Sequence, residues 1–127
     1  MEEWKRLPDA ELEVMQALWR QKEYPVTTAE LLPCLAKHRW QTATLLKLLS
    51  RLEDRGFVAR EKAGRGNRYR PLVRREEYLA LESRSFLDRL HGGSLPSLVA
   101  SLMESRGISE EEIAELEAIL KGGGPRE

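Results

Sequence analysis

Residues 40–58 read WQTATLLKLLSRLEDRGFV. Leucines 45, 48, 49 and 52 fall within an arc of about 100° when the chain is wound at roughly 100° per residue, so this segment is expected to be a helix with one face set for burial. Its span is 42–55, closed by Gly56, the residue type best suited to the left-handed conformation after a last turn. The opposite face carries Ala43 and Lys47 at its centre, Leu46 and Ser50 on one flank, Thr44 and Arg51 on the other. It is small at its start and basic further along. That arrangement suits a DNA major groove: small residues permit close approach to base edges, hydroxyls exchange hydrogen bonds there, and Lys or Arg reaches guanine or a phosphate. The competing reading is an ordinary solvated helix face.

The flanking segments give that helix a context. Downstream, FVAREK and NRYRPL are short stretches with β-branched and aromatic residues on either side of AGRG, the pattern of a hairpin. Its tip is expected to consist of Gly64, Gly66 and Asn67, bracketed by Lys62, Arg65, Arg68 and Arg70, with Pro71 ending the second strand where a sheet edge tolerates proline. Such a hairpin can press guanidinium and backbone groups against a sugar-phosphate ridge, although a basic edge also serves to block strand addition. Upstream, PDAELEVMQALWRQK reads as a helix over 10–22, with Asp9 as N-cap, Glu11 and Glu13 in the dipole-favoured first turn, and Leu12, Met15, Leu18 and Trp19 as its apolar stripe. TTAE offers a capping box from Thr27 to Glu30 that opens a second helix, which Pro33 should shorten or kink before His38. Three helices followed by a hairpin is the winged helix-turn-helix order. The residues expected at DNA are therefore Thr42, Ala43, Thr44, Leu46, Lys47, Ser50, Arg51, Lys62, Arg65 and Arg68.

Charge supports the same division of labour. The formal net charge is zero over 127 residues, but residues 37–70 hold 10 Lys/Arg against 3 Asp/Glu, while residues 73–127 hold 7 against 11. A local excess of cations in a neutral chain points to a polyanionic partner, here double-stranded DNA.

Beyond residue 73 the chain reads as wholly helical: REEYLALESRSFLDRL, SLPSLVASLMESRG and SEEEIAELEAILK, punctuated by glycines 92, 93 and 107, with a second capping box from Ser109 to Glu112. Phe86, Leu90, Leu98, Leu102, Met103, Ile113, Leu116, Ile119 and Leu120 supply more apolar surface than so short a segment can enclose. Self-association is the expected outcome, packing on the chain's own helices the alternative. A twofold dimer would set two reading heads on a palindromic site. The expected class is mainly α with a small β-hairpin: a winged-helix DNA-binding domain over 1–73, a three-helix dimerisation region over 74–121, and a disordered tail over 122–127.

Other functions fit less well. The opening MEEWKR has no secretory character and no apolar run approaches the ~18 residues of a membrane span, so a cytoplasmic location is expected. One cysteine and two histidines do not make a closed metal site, and no cofactor is expected. Ser, His and Asp show no catalytic spacing, and Cys34 is read as a small buried or half-buried apolar residue, so an enzyme is not expected. His38 is read as a solvated loop residue and Trp40 as the apolar anchor at the start of the third helix. A winged-helix module that binds protein rather than DNA is the runner-up, but it calls for an apolar or acidic third-helix face in place of Lys47 and Arg51.

The segments LPDAELEVMQALW, TTAELL, WQTATLLKLLSRLEDRGFV and NRYRPLV, the HGG break with SLV after it and the closing SEEEIAELEAIL together resemble the penicillinase repressor family, whose members include BlaI, MecI and CopY. The resemblance implies a homodimeric winged-helix repressor of transcription. Its third helix would enter the major groove and its C-terminal helices would interlock. It further implies, for antibiotic-responsive members, a membrane sensor whose signal leads to cleavage at the position of Ser101 and Leu102. Copper-responsive members carry paired cysteines near the C-terminus, which this chain lacks. Family members commonly have a basic residue where Leu46 stands, so their TACA/TGTA-type operators are not carried over.

Overall fold

The computed structural model describes residues 6–105 and 107–123. Its elements run α1 (Asp9–Trp19), β1 (Val26–Thr27), α2 (Thr28–Leu31) continuing as a 3-10 helix (Leu32–His38), α3 (Thr42–Asp54), β2 (Val58–Ala63), β3 (Gly66–Pro71), α4 (Arg75–His91), α5 (Leu95–Ser105) and α6 (Glu110–Ala118), which passes into a π-helical turn (Ile119–Gly123). Contacts divide the chain within α4 into two compact units, the first ending at Glu82 and the second beginning at Ser83. No helix among the described residues is long and apolar enough to cross a membrane.

The first unit has the winged helix-turn-helix order. Its core gathers Val14, Met15 and Leu18 of α1, Leu31 and Leu35, the four leucines of α3, and Phe57, Val58, Tyr69, Val73 and Tyr78. Helix α1 begins one residue early, because Pro8 (φ −59°, ψ 155°) holds the N-cap and its carbonyl accepts from Leu12 N at 2.9 Å; Asp9 is already helical. It ends at Trp19 rather than residue 22, and the Trp19 indole donates to the Val73 carbonyl at 2.9 Å. Glu11 lies in the first turn of α1, as expected, but it is also 2% exposed and accepts from Arg55 Nε at 2.6 Å. It ties α1 to the C-terminal end of α3.

The capping box forms as expected, with Glu30 N donating to Thr27 Oγ1 at 3.1 Å and Thr27 N to Glu30 Oε1 at 2.8 Å. Past Pro33 the helix tightens. At three residues per turn, positions i and i+3 align, so Leu32 and Leu35 turn towards the core while Cys34 is left exposed, not buried or half-buried as expected.

The sheet has three antiparallel strands among the described residues, in the order β1-β3-β2. The strand β1 was not foreseen: Val26 and Thr27 pair with Tyr69 and Arg68. The strand holding Pro71 is therefore central, not an edge, but β1 stops opposite Tyr69, so Pro71 faces only Val58 on β2. A missing N–H costs nothing on an unpaired side.

Tyr78 brings the start of α4 into the same core. Its hydroxyl accepts from Leu7 N at 2.8 Å, its ring meets Phe57 edge-on at 5.7 Å, and burial pushes the phenol up to about 12.

The second unit is built differently. Ser94 caps α5, accepting from Ser97 N at 3.1 Å, and Ser109 makes its half of the expected capping motif by accepting from Glu112 N at 3.1 Å. No described residue from 83 to 122 is fully buried. Gly122 and Gly123 lie in the closing π-helical turn; residues 124–127 of the expected tail lie outside the described residues.

Candidate nucleic-acid interface

The interface starts with how α3 is held. Leu45, Leu48, Leu49 and Leu52 are 0–6% exposed, which fixes the helix's rotation about its own axis. The C-terminal end is fixed by a paired closure: Phe57 N donates to Leu52 O at 2.9 Å and Gly56 N to Glu53 O at 3.0 Å, with Gly56 at φ +84°. This six-to-one and five-to-two pattern requires the left-handed residue that glycine supplies at least cost. With the leucines inward, Thr42, Ala43, Thr44, Leu46, Lys47, Ser50 and Arg51 are all exposed. Gln41 occupies the N-cap in an extended conformation without a side-chain cap.

The tip of the hairpin is shorter than expected. Ala63 pairs with Gly66 and Lys62 with Asn67, so the loop is the dipeptide Gly64–Arg65, with Gly64 at φ +63°. Positive φ at only the first loop residue suits a type II′ turn, where glycine is required. Gly66 and Asn67 belong to β3, not the tip, and Arg65 sits at the apex. Because strand side chains alternate and cross-strand partners share a face, Lys62 falls on the face of Val58 and Tyr69, whereas Arg68 lies with Glu61, Arg70 and Thr27 on the other. The sequence-predicted cations Lys62, Arg65 and Arg68 thus occupy one face, the apex and the reverse face of one hairpin.

Ion pairing sorts the cations of residues 37–70. Arg55 holds Glu11, Arg60 Nε lies 3.1 Å from Glu53 Oε1, and Arg70 Nη2 lies 2.7 Å from Glu61 Oε2. These pairs link α1 to α3, α3 to β2 and β2 to β3. They also engage two of the three acidic residues of this segment, Glu53 and Glu61. Lys37, Arg39, Lys47, Arg51, Lys62, Arg65 and Arg68 are exposed and take part in no ion pair among the described residues. Lys37 and Arg39 were not singled out from sequence. They flank the turn before α3, where Arg39 adopts φ +56°. The signal was the local charge excess itself, which the helix-wheel and hairpin patterns did not reach.

His38 departs from its reading as a solvated residue. Its ring stacks on Trp40 with centroids 4.4 Å apart and planes 12° apart, and Nε2 lies 3.4 Å from Glu13 Oε1, within ion-pair reach but without hydrogen-bond geometry. Trp40 packs against the core at the start of α3, as expected.

In the second unit, Phe86, Leu90, Leu102, Met103, Ile119 and Leu120 are 38–64% exposed, and Leu98, Ile113 and Leu116 are half-buried. Leu102, Ile108, Leu116 and Ile119 line an open groove of about 420 Å³ between α5 and α6. Ser101, beside Leu102 on α5, is exposed.

Comparison with known proteins bears on what this architecture is. A sequence model of the family described as penicillinase repressor matches residues 7–122. The chain is 37% identical over 117 residues to the penicillinase repressor of Bacillus licheniformis, covering 91% of this chain and 90% of that protein. It is 30% identical over 114 residues to the methicillin resistance regulatory protein MecI of Mammaliicoccus sciuri, covering 90% and 92%. With the penicillinase repressor of Staphylococcus aureus it shares 27% over 112 residues, covering 87% of both. Matches that run through both units, over a winged helix-turn-helix and the helices beyond it, assign this chain to the penicillinase repressor family.

Proposed function

We propose that the protein is a homodimeric transcriptional repressor that reads a palindromic operator in double-stranded DNA with α3 and the 57–72 wing. The observation that carries this reading is the set of unpaired cations around an outward, small-residue helix face, in a region where the other arginines are committed to ion pairs. Cations on both faces of the hairpin suit a wing lying along a groove mouth, where a phosphate ridge runs on either side. The exposed apolar surface of α4 to α6 supports pairing of two chains, which would set two copies of α3 at half-sites about one helical turn, or a multiple of it, apart. A repressor of this kind acts in the cytoplasm. By family likeness its release would follow cleavage at Ser101–Leu102 under the control of a membrane sensor. Selection of bound sequences from a random DNA pool tests the reading: it predicts enrichment of an inverted repeat, and a pool without a preferred sequence contradicts it.

Two substitutions separate the roles. Lys47→Ala, at the centre of the outward face, should weaken binding and change the preferred base at one position in each half-site, by roughly the 1–3 kcal/mol of a direct base contact. Reselection with the variant measures this, and an unchanged preference would assign Lys47 to the backbone. Arg65→Gln and Arg68→Gln should lower affinity for all sequences alike, each flattening the dependence of log affinity on log salt by about one unit. Titrations at several salt concentrations measure that slope, and an unchanged slope would remove the wing from the phosphates.

A further inference from the structure

The outward face of α3 is made of two strips with different chemistry. Thr44, Lys47 and Arg51 stand at i, i+3 and i+7, and so do Ala43, Leu46 and Ser50. The first strip is polar and ends in cations. The second begins with two apolar side chains, and Leu46 is 40% exposed although the helix has a full set of core leucines on its other side. It takes no part in the hydrophobic core of the first unit. An exposed leucine bordered by threonines, a serine and unpaired cations is poorly placed for a protein partner, which would have to neutralise those cations, and well placed against duplex DNA, whose phosphates neutralise them. Within the major groove one group is apolar: the C5-methyl of thymine.

We infer that Leu46 packs on the C5-methyl group of a thymine, with the small side chain of Ala43 beside it permitting close approach, so that each operator half-site carries a thymine at the position facing Leu46, while Lys47 reads a neighbouring base or phosphate. This rests on the operator reading above and specifies its chemistry. The contact uses shape and methyl burial rather than hydrogen bonding. It therefore discriminates thymine from cytosine, which lacks the methyl group, and equally from uracil, whose hydrogen-bonding edge is identical to that of thymine.

Uracil makes the test specific. A duplex recovered by selection is remade with deoxyuridine replacing each thymine in turn, and binding of the full-length protein is measured at fixed salt. The wild-type protein is expected to lose ~4-fold in affinity at one thymine per half-site, the scale of burying one methyl-sized group. In Leu46→Ser the thymine and uracil duplexes should bind alike, and in Leu46→Met the loss should return. Circular dichroism of the variants monitors folding, which substitution at so exposed a position should leave intact. The inference is overturned if no thymine in the selected site is sensitive to uracil, or if the sensitivity survives in Leu46→Ser. A pool that yields no preferred sequence removes the operator reading and this inference together, whereas a clear inverted repeat indifferent to uracil removes only the methyl contact.

Discussion

Leu116→Asp is expected to sediment as a monomer and to bind a full palindromic site at least about a hundredfold more weakly than the wild type, since two linked half-site contacts exceed one by ~10²–10⁴ in avidity. The side chain lines the groove between α5 and α6 with Leu102, Ile108 and Ile119. If a second chain closes that groove, the variant forces a carboxylate into an apolar contact without a partner, at a cost of several kcal/mol. The surroundings worsen the penalty, because α6 already carries Glu110, Glu111, Glu112, Glu115 and Glu117. The first unit should be untouched, with its own unfolding transition unchanged. An intact dimer in sedimentation velocity would remove this groove from the contact.

Arg55→Met should cost the first unit about 3 kcal/mol, the lower end of the penalty for stranding one member of a buried ion pair, and lower its melting temperature by roughly 15 °C. Glu11 is 2% exposed and its Oε1 lies 2.6 Å from Arg55 Nε, so removing the guanidinium leaves a carboxylate enclosed by α1 and the end of α3. Arg55 itself is 37% exposed, which keeps the expected cost at the low end. The double variant Glu11→Leu/Arg55→Met should recover most of the loss, because replacing a buried pair by apolar groups of similar size is often neutral. Urea titration of the three proteins measures the difference. A loss below ~1 kcal/mol in Arg55→Met would show the pair to behave like an ordinary surface bridge.

Which of these features the sequence disclosed follows from how local their causes are. The α3 leucines repeat at helical spacing within one segment, and Gly56 closes the helix by local geometry, so both the element and its outward face were legible. The capping box at Thr27 and Glu30 is equally local. By contrast, β1 is two residues long and exists because β3 offers it a hydrogen-bonding edge. Nothing in VT alone announces a strand. The place of Glu11 in a first helical turn was legible, but its burial and its partner Arg55, 44 residues away, were not. The hairpin was visible but not its register: AGRG allows more than one two-residue loop, and the choice of Gly64–Arg65 moved Asn67 into a strand. Cys34 was misjudged because its reading rested on how free cysteines usually pack, whereas its exposure depends on the tightening of the chain past Pro33 to three residues per turn. For the interface, exposure could be inferred for every chosen residue of α3. The separation of paired from unpaired arginines could not, since it depends on which carboxylates the fold brings within reach.

On the proposed function, two chains present two copies of α3 to one duplex. Equilibrium sedimentation of a selected operator with increasing protein decides whether they do. Two chains of 14.6 kDa should bind each duplex cooperatively, with affinity falling steeply as salt rises and far weaker binding to a shuffled duplex of equal length. A complex that saturates at one chain per duplex, or one indifferent to the order of bases, would contradict it.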